Sequence, residues 1–174
     1  MKTQLLTLTA ALAFAAALPA QKLELKLDHL ITLAKEHTVV DMDGAQIRAA
    51  LAAAPAGAEK AKAQAEGIES LTVRSFEFEN EGAYKPSDLE DVRRQLSAPG
   101  WSRIISTRES RESVDVYLLM KEGGMGGIAV LSAEPKELTI VHILGKLNAR
   151  DLQAMVNSTI AYDLADLYNK QKQQ

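Results

Sequence analysis

The stretch that decides the fold is VDVYLLMKEGGMGGIAVLSA, residues 114–133. Val114, Val116, Leu118 and Met120 alternate with Asp115, Tyr117 and Lys121, the period-2 pattern of a strand with one drier face. Four of the ten glycines in the chain follow within Gly123–Gly127. Glycine-rich loops often cradle phosphate, but the context here differs. A Walker loop needs Gly-Lys-Ser/Thr opening a helix, and a dinucleotide fingerprint also leads into a helix. Here the glycines are followed by Ile-Ala-Val-Leu-Ser-Ala, which reads as a second strand over 128–133. The glycines are therefore expected to form a pliable hairpin tip between Met120 and Ile128, supplying positive φ angles.

Working outward, further strands are expected at 71–78, 101–107 and 138–144, with polar turns at 108–112 and 134–137. In the strand 71–78 the apolar positions change parity between Val73 and Phe76, predicting a bulge or burial of both faces. A short strand is also expected at 38–42. Helices are predicted from Leu27, Leu30, Ile31, Ala34 and His37. A second follows Asp43, whose partner Gln46 completes a capping-box pattern. A third lies over 57–66, inside a segment with eleven alanines between residues 45 and 65. Another is expected after Ser87, with Glu90 in the box position and Leu89, Val92 and Leu96 as its apolar stripe. The last is capped at Asn148 and carries Leu152, Met155, Val156, Ile160, Leu164 and Leu167 on one face. Together these predict an α+β two-layer sandwich, a mainly antiparallel sheet of about five strands with helices packed on one face.

The first twenty residues combine Lys2, an apolar run and small residues at Ala16, Ala17 and Ala20. This is the pattern of an export signal cleaved after Ala20. The expected organisation is a signal peptide over 1–20, a helical part with a short strand over 21–70, an α+β core over 71–168 and a polar tail over 169–174. The chain has no cysteine, which excludes disulfides, thiolate metal sites and a lipidated cysteine. Without Lys2 the 20 basic residues become 19 against 23 acidic ones, a balance of about −4 that disfavours nucleic acid as a partner. No second long apolar run provides a membrane anchor. An exported protein in a periplasm or outside the cell is expected.

Candidate chemistry is sparse. His29, His37 and His142 lack zincin spacing. His37 lies near Asp41 and Asp43, and a ligand or hydrolytic pocket there is the alternative functional reading; a helix-end role for His37 is the plainer one. His142 reads as a satisfied sheet residue facing away from Val141 and Ile143. Glu77 and Glu79 share a strand face, as acid–base pairs do, but a solvated edge accounts for them. Arg93, Arg94, Arg103, Arg108 and Arg111 are interleaved with Glu90, Asp91, Glu109 and Glu112, suggesting local ion pairs or a patch for an anionic partner. No catalytic, cofactor-binding or metal-binding residue is assigned.

Three ordered segments carry a family resemblance: VRSFEFENEGAYKPSDLEDVRRQLSAPGWSRIIS (73–106), VDVYLL (114–119) and GIAVLSAEPKELTIVHILGKL (127–147). They resemble the exported bacterial family known as domain of unknown function 4252. The resemblance implies an envelope or secreted protein with no catalytic set to transfer. It also implies a regulatory link to extracytoplasmic-function sigma factors. The glycine tip and the long last helix depart from the family's usual pattern. The sequence thus points to a non-enzymatic envelope module with a protein partner.

Overall fold

The computed structural model describes residues 22–53, 62–63 and 65–147. The expected signal peptide over 1–20, most of the helix over 57–66, the helix from Asn148 and the tail over 169–174 lie outside the described residues.

Six antiparallel strands form one sheet in the order β1-β2-β6-β5-β4-β3. They are β1 (Glu36–Asp43), β2 (Ile68–Glu77), β3 (Trp101–Glu109), β4 (Glu112–Lys121), β5 (Gly124–Glu134) and β6 (Glu137–Leu147). The expected count of about five is corrected to six. From β3 to β6 the chain is a meander of hairpins, because short polar turns permit only antiparallel neighbours. The residues after β2 carry the chain to the opposite edge, so that β6 returns to pair with β2. Helical segments are short: α1 (Asp28–Ile31), α2 (Gly44–Ala52), a 3-10 turn (Pro86–Leu89) and α3 (Glu90–Gln95).

Two apolar clusters lie on the two sides of the sheet. One joins Leu23, Leu27 and Leu30 with Leu89, Val92 and Leu96 against Phe76, Tyr117, Leu131 and Ile140. The other joins Ile47, Ala50 and Leu51 of α2 against Val40, Val73, Val116 and Ile143. Helical residues therefore contribute on both sides, not on the single face expected. This explains the parity change in β2. Its register with β6 runs unbroken from Ser70 to Glu77, and Leu71 through Arg74 are all buried. Burial of both faces, not a bulge at that point, is the cause.

Local signals hold where capping chemistry is explicit. The Asp43 carboxylate accepts the N–H groups of Ala45 and Gln46 at 2.9 and 2.8 Å, and the Gln46 amide accepts the Asp43 N–H at 2.9 Å. Ser87 does not cap the next helical segment. Instead the Asp88 carboxylate accepts the N–H of Lys85 at 2.7 Å. The first helix is a single turn, because β1 begins at Glu36 and takes His37 into the sheet.

The glycine segment is also redistributed. Lys121 pairs with Gly124, so the turn proper is Glu122-Gly123, and Gly124–Gly127 belong to β5. Gly123 takes φ +93°, as the turn requires. Gly127 serves a different need, since a Cβ there would lie 2.8 Å from the Ile143 carbonyl oxygen.

Candidate binding site on the outer strand

Strand β3 is the last in the sheet, and every residue from Ser102 to Glu109 is exposed. Its pairing with β4 is shifted between Arg103 and Ile105, leaving Ile104 as an extra residue. Residues five apart in a regular strand point to opposite faces. The bulge at Ile104 cancels that rule and places Arg103, Ser106 and Arg108 on one face. Across from them on β4 stand Tyr117, Asp115 and Ser113. Asp115 is therefore flanked diagonally by two arginines and faced by a serine.

Asp115 is 1% exposed. Ser106 Oγ donates to its Oδ1 at 2.8 Å. Arg103 Nη1 lies 3.5 Å from Oδ1, and Arg108 Nη2 lies 4.0 Å from Oδ2. A third guanidinium, that of Arg93 on α3, reaches Oδ2 at 3.7 Å. The helix is held over this face by Leu89, Val92 and Leu96. Three cations from two elements thus meet one buried anion, leaving two positive charges in surplus. Asp115 Oδ2 and Arg93 Nε have no hydrogen-bond partner among the described residues. Tyr84 stands near Arg93. Its hydroxyl donates to the Glu134 carbonyl oxygen at 2.6 Å, and burial chiefly pushes its pKa up, with Glu134 adding and Arg93 opposing.

Of the other two arginines, one forms the local ion pair expected and the other reaches Glu81, thirty positions back in the chain. Arg94 binds Asp91, and Arg111 Nη2 donates to both carboxylate oxygens of Glu81 at 2.7 Å. Sequence reasoning missed Asp115 because it placed this residue on the wetter side of an alternating strand. The signal available was proximity to Arg108 across a short turn.

The remaining candidates are dispersed. Asp41 accepts Arg74 Nη2 at 2.6 Å and Thr72 Oγ1 at 3.1 Å, and Asp43 caps α2. His37 is exposed opposite Phe76. Asp41 and Asp43 are therefore already engaged by the fold, with His37 some four strand positions from Asp41. Among the described residues no group of three or more His, Asp or Glu is placed to hold a metal ion. Glu77 binds Lys35 at 3.4 Å, and Glu79 lies beyond the end of β2. The glycine segment borders a cavity of about 360 Å³ shared with Glu69 and Lys146.

His142 corrects the expectation of a satisfied sheet residue. It faces away from Val141 and Ile143, as expected, but is fully buried with neither ring nitrogen hydrogen-bonded among the described residues. Its ring packs on Trp101 at 5.7 Å between centroids. Burial, with a smaller contribution from Lys22, lowers its pKa to about 4.

Residues 34–155 match the family described as Domain of unknown function (DUF4252). The chain belongs to this family. The DUF4252 segment encloses all six strands, so the sheet and its outer-strand cluster are family territory. No curated protein matches the chain. No solved structure matches it either. Among the described residues, no helix is long and apolar enough to cross a membrane.

Proposed function

We propose that this DUF4252 protein is an exported, non-enzymatic binding module of the cell envelope that contacts a protein partner through β3. The observation that carries the reading is the character of that strand. It is an edge, exposed from Ser102 to Glu109, and it shows two large apolar side chains, Ile104 and Ile105, at 46% and 39% exposure. Edge strands offer unpaired backbone groups and are ordinarily protected by charge or bulges. Here the bulge itself presents Ile104, and the charges belong to an organised cluster. Export is supported by the leader-like first twenty residues. The family resemblance adds a regulatory role tied to extracytoplasmic-function sigma systems.

The test is site-specific photocrosslinking of the full-length protein in its host. A photoreactive residue at Ile104 should give one discrete adduct with an envelope protein, and one at Glu36 on the opposite edge should not. Equal adducts at both positions, or none at Ile104, would overturn the reading. The purified envelope form should begin at Gln21 by mass. An uncleaved cytoplasmic protein would contradict export.

A further inference from the structure

We propose that Arg93, Arg103 and Arg108, held over the buried Asp115 carboxylate, form a receptor site for neighbouring carboxylates on an acidic segment of a protein partner. The inference rests on the reading of β3 as a partner surface and names the chemistry recognised there.

Charge is the first argument. Three guanidinium groups surround one carboxylate, and none of them comes within 4 Å of any other carboxylate among the described residues. The surplus of two positive charges matches two acidic side chains. Hydrogen bonding is the second. Each guanidinium offers five N–H donors, yet no hydrogen bond from these three side chains reaches a described residue, and the distances to Asp115 exceed those of a hydrogen bond. The donors are gathered but unspent, which suits an incoming oxygen ligand able to take bidentate pairs.

The cost of Asp115 is the third argument. Its neighbour across β5 is the buried Leu131, and a leucine at 115 would extend that apolar row. Burying a carboxylate carries a desolvation penalty that an apolar replacement avoids. Protection of an edge needs only exposed charge, with no buried counterion. A position that breaks the packing rule without benefit to the core marks function. Asp115 is a positioning residue. It draws three guanidinium groups to within 4.0 Å of one carboxylate, so that part of the ordering cost is met before a partner binds.

A protein segment is favoured over a free anion because the cluster adjoins the open edge of β3, where an extended chain gains main-chain bonds as well. The experiment follows the arginine Nε–H signals by NMR and the affinity by calorimetry. The probes are a short synthetic peptide with adjacent Asp and Glu residues, its Asn/Gln counterpart and inorganic phosphate. The acidic peptide should shift the Arg93, Arg103 and Arg108 signals saturably, and the amide peptide should not. Arg103→Gln with Arg108→Gln, both at exposed positions, should weaken binding at least ~10-fold at a temperature where circular dichroism shows the variant folded; Tm itself should fall, because the buried Asp115 keeps only Arg93 as a counterion. Asp115→Asn should also weaken it, although it adds positive charge. Tighter binding by Asp115→Asn would show a merely attractive patch and overturn the proposal. So would binding of phosphate without the peptide, or peptide binding indifferent to the arginine changes. If the Ile104 crosslink survives the double substitution, this inference falls and the partner surface stands. If acidic peptide binds but Ile104 never crosslinks, the site stands and the β3 contact falls.

Discussion

At the scale of single residues, the buried polar groups set the testable behaviour. His142 titrates near 4 when folded, against about 6.5 in an unfolded chain. Between these values the unfolded chain takes up a proton that the folded one refuses. Stability is therefore full above about pH 6.5 and falls as the pH is lowered towards 4, by about 3 kcal/mol in all. Denaturant titrations at pH 7 and 4.5 should show this loss, and His142→Phe should remove most of it. An unchanged pH slope in the variant would refute the assignment. The Arg74–Asp41 pair predicts an asymmetry. Arg74 is buried and Asp41 half-exposed, so Asp41→Ala strands a buried charge and should cost about 2 kcal/mol. Arg74→Met leaves a carboxylate that water can reach and should cost less. The reverse order in thermal or urea unfolding would contradict this. Individual roles were partly legible in sequence: the Asp43–Gln46 cap is local and was readable. Asp115 and His142 were not, since their burial depends on what covers the sheet face, and alternation alone does not report that.

At the scale of elements, the bulge in β3 and the start of β5 decide where side chains point. Ile104 is the extra residue, and the pairs Arg103–Tyr117 and Ile105–Val116 are already consecutive on β4. Deleting Ile104 should thus preserve the fold and the near-ultraviolet dichroism of Trp101. Collapse of that signal would show that the shift is placed elsewhere. In β5, Gly127→Ala drives a methyl into the Ile143 carbonyl and the Leu144 side chain and should cost about 2 kcal/mol. A neutral result by chemical denaturation would restore the view of Gly123–Gly127 as a merely pliable tip. The sequence revealed this hairpin through the alternation before the glycines and the apolar run Ile128–Ala133 after them. It concealed the length of β5, because glycine at a close approach and glycine in a turn look alike in sequence. The five-residue spacing of Arg103 and Arg108 likewise argues for opposite faces until the bulge is known.

At the scale of the molecule, the antiparallel sheet was legible from successive strands and short turns, and the strand order was not. The pairing of β2 with β6 joins residues 60 or more positions apart, and nothing local encodes it. That crossing places β3 at an edge and lets α3, carried on the connecting segment, deliver Arg93 to Asp115. The proposed function therefore depends on topology more than on any motif. The most direct test of it combines the two sides of the outer strand in one measurement. Crosslinking from Ile104 in host cells is quantified for the unmodified protein and for Arg103→Gln/Arg108→Gln at equal abundance. The account predicts one discrete envelope adduct that falls at least ~10-fold in the double variant. No adduct from Ile104 in the unmodified protein would contradict the partner surface itself, and an adduct of undiminished yield in the double variant would contradict the arginine site on it.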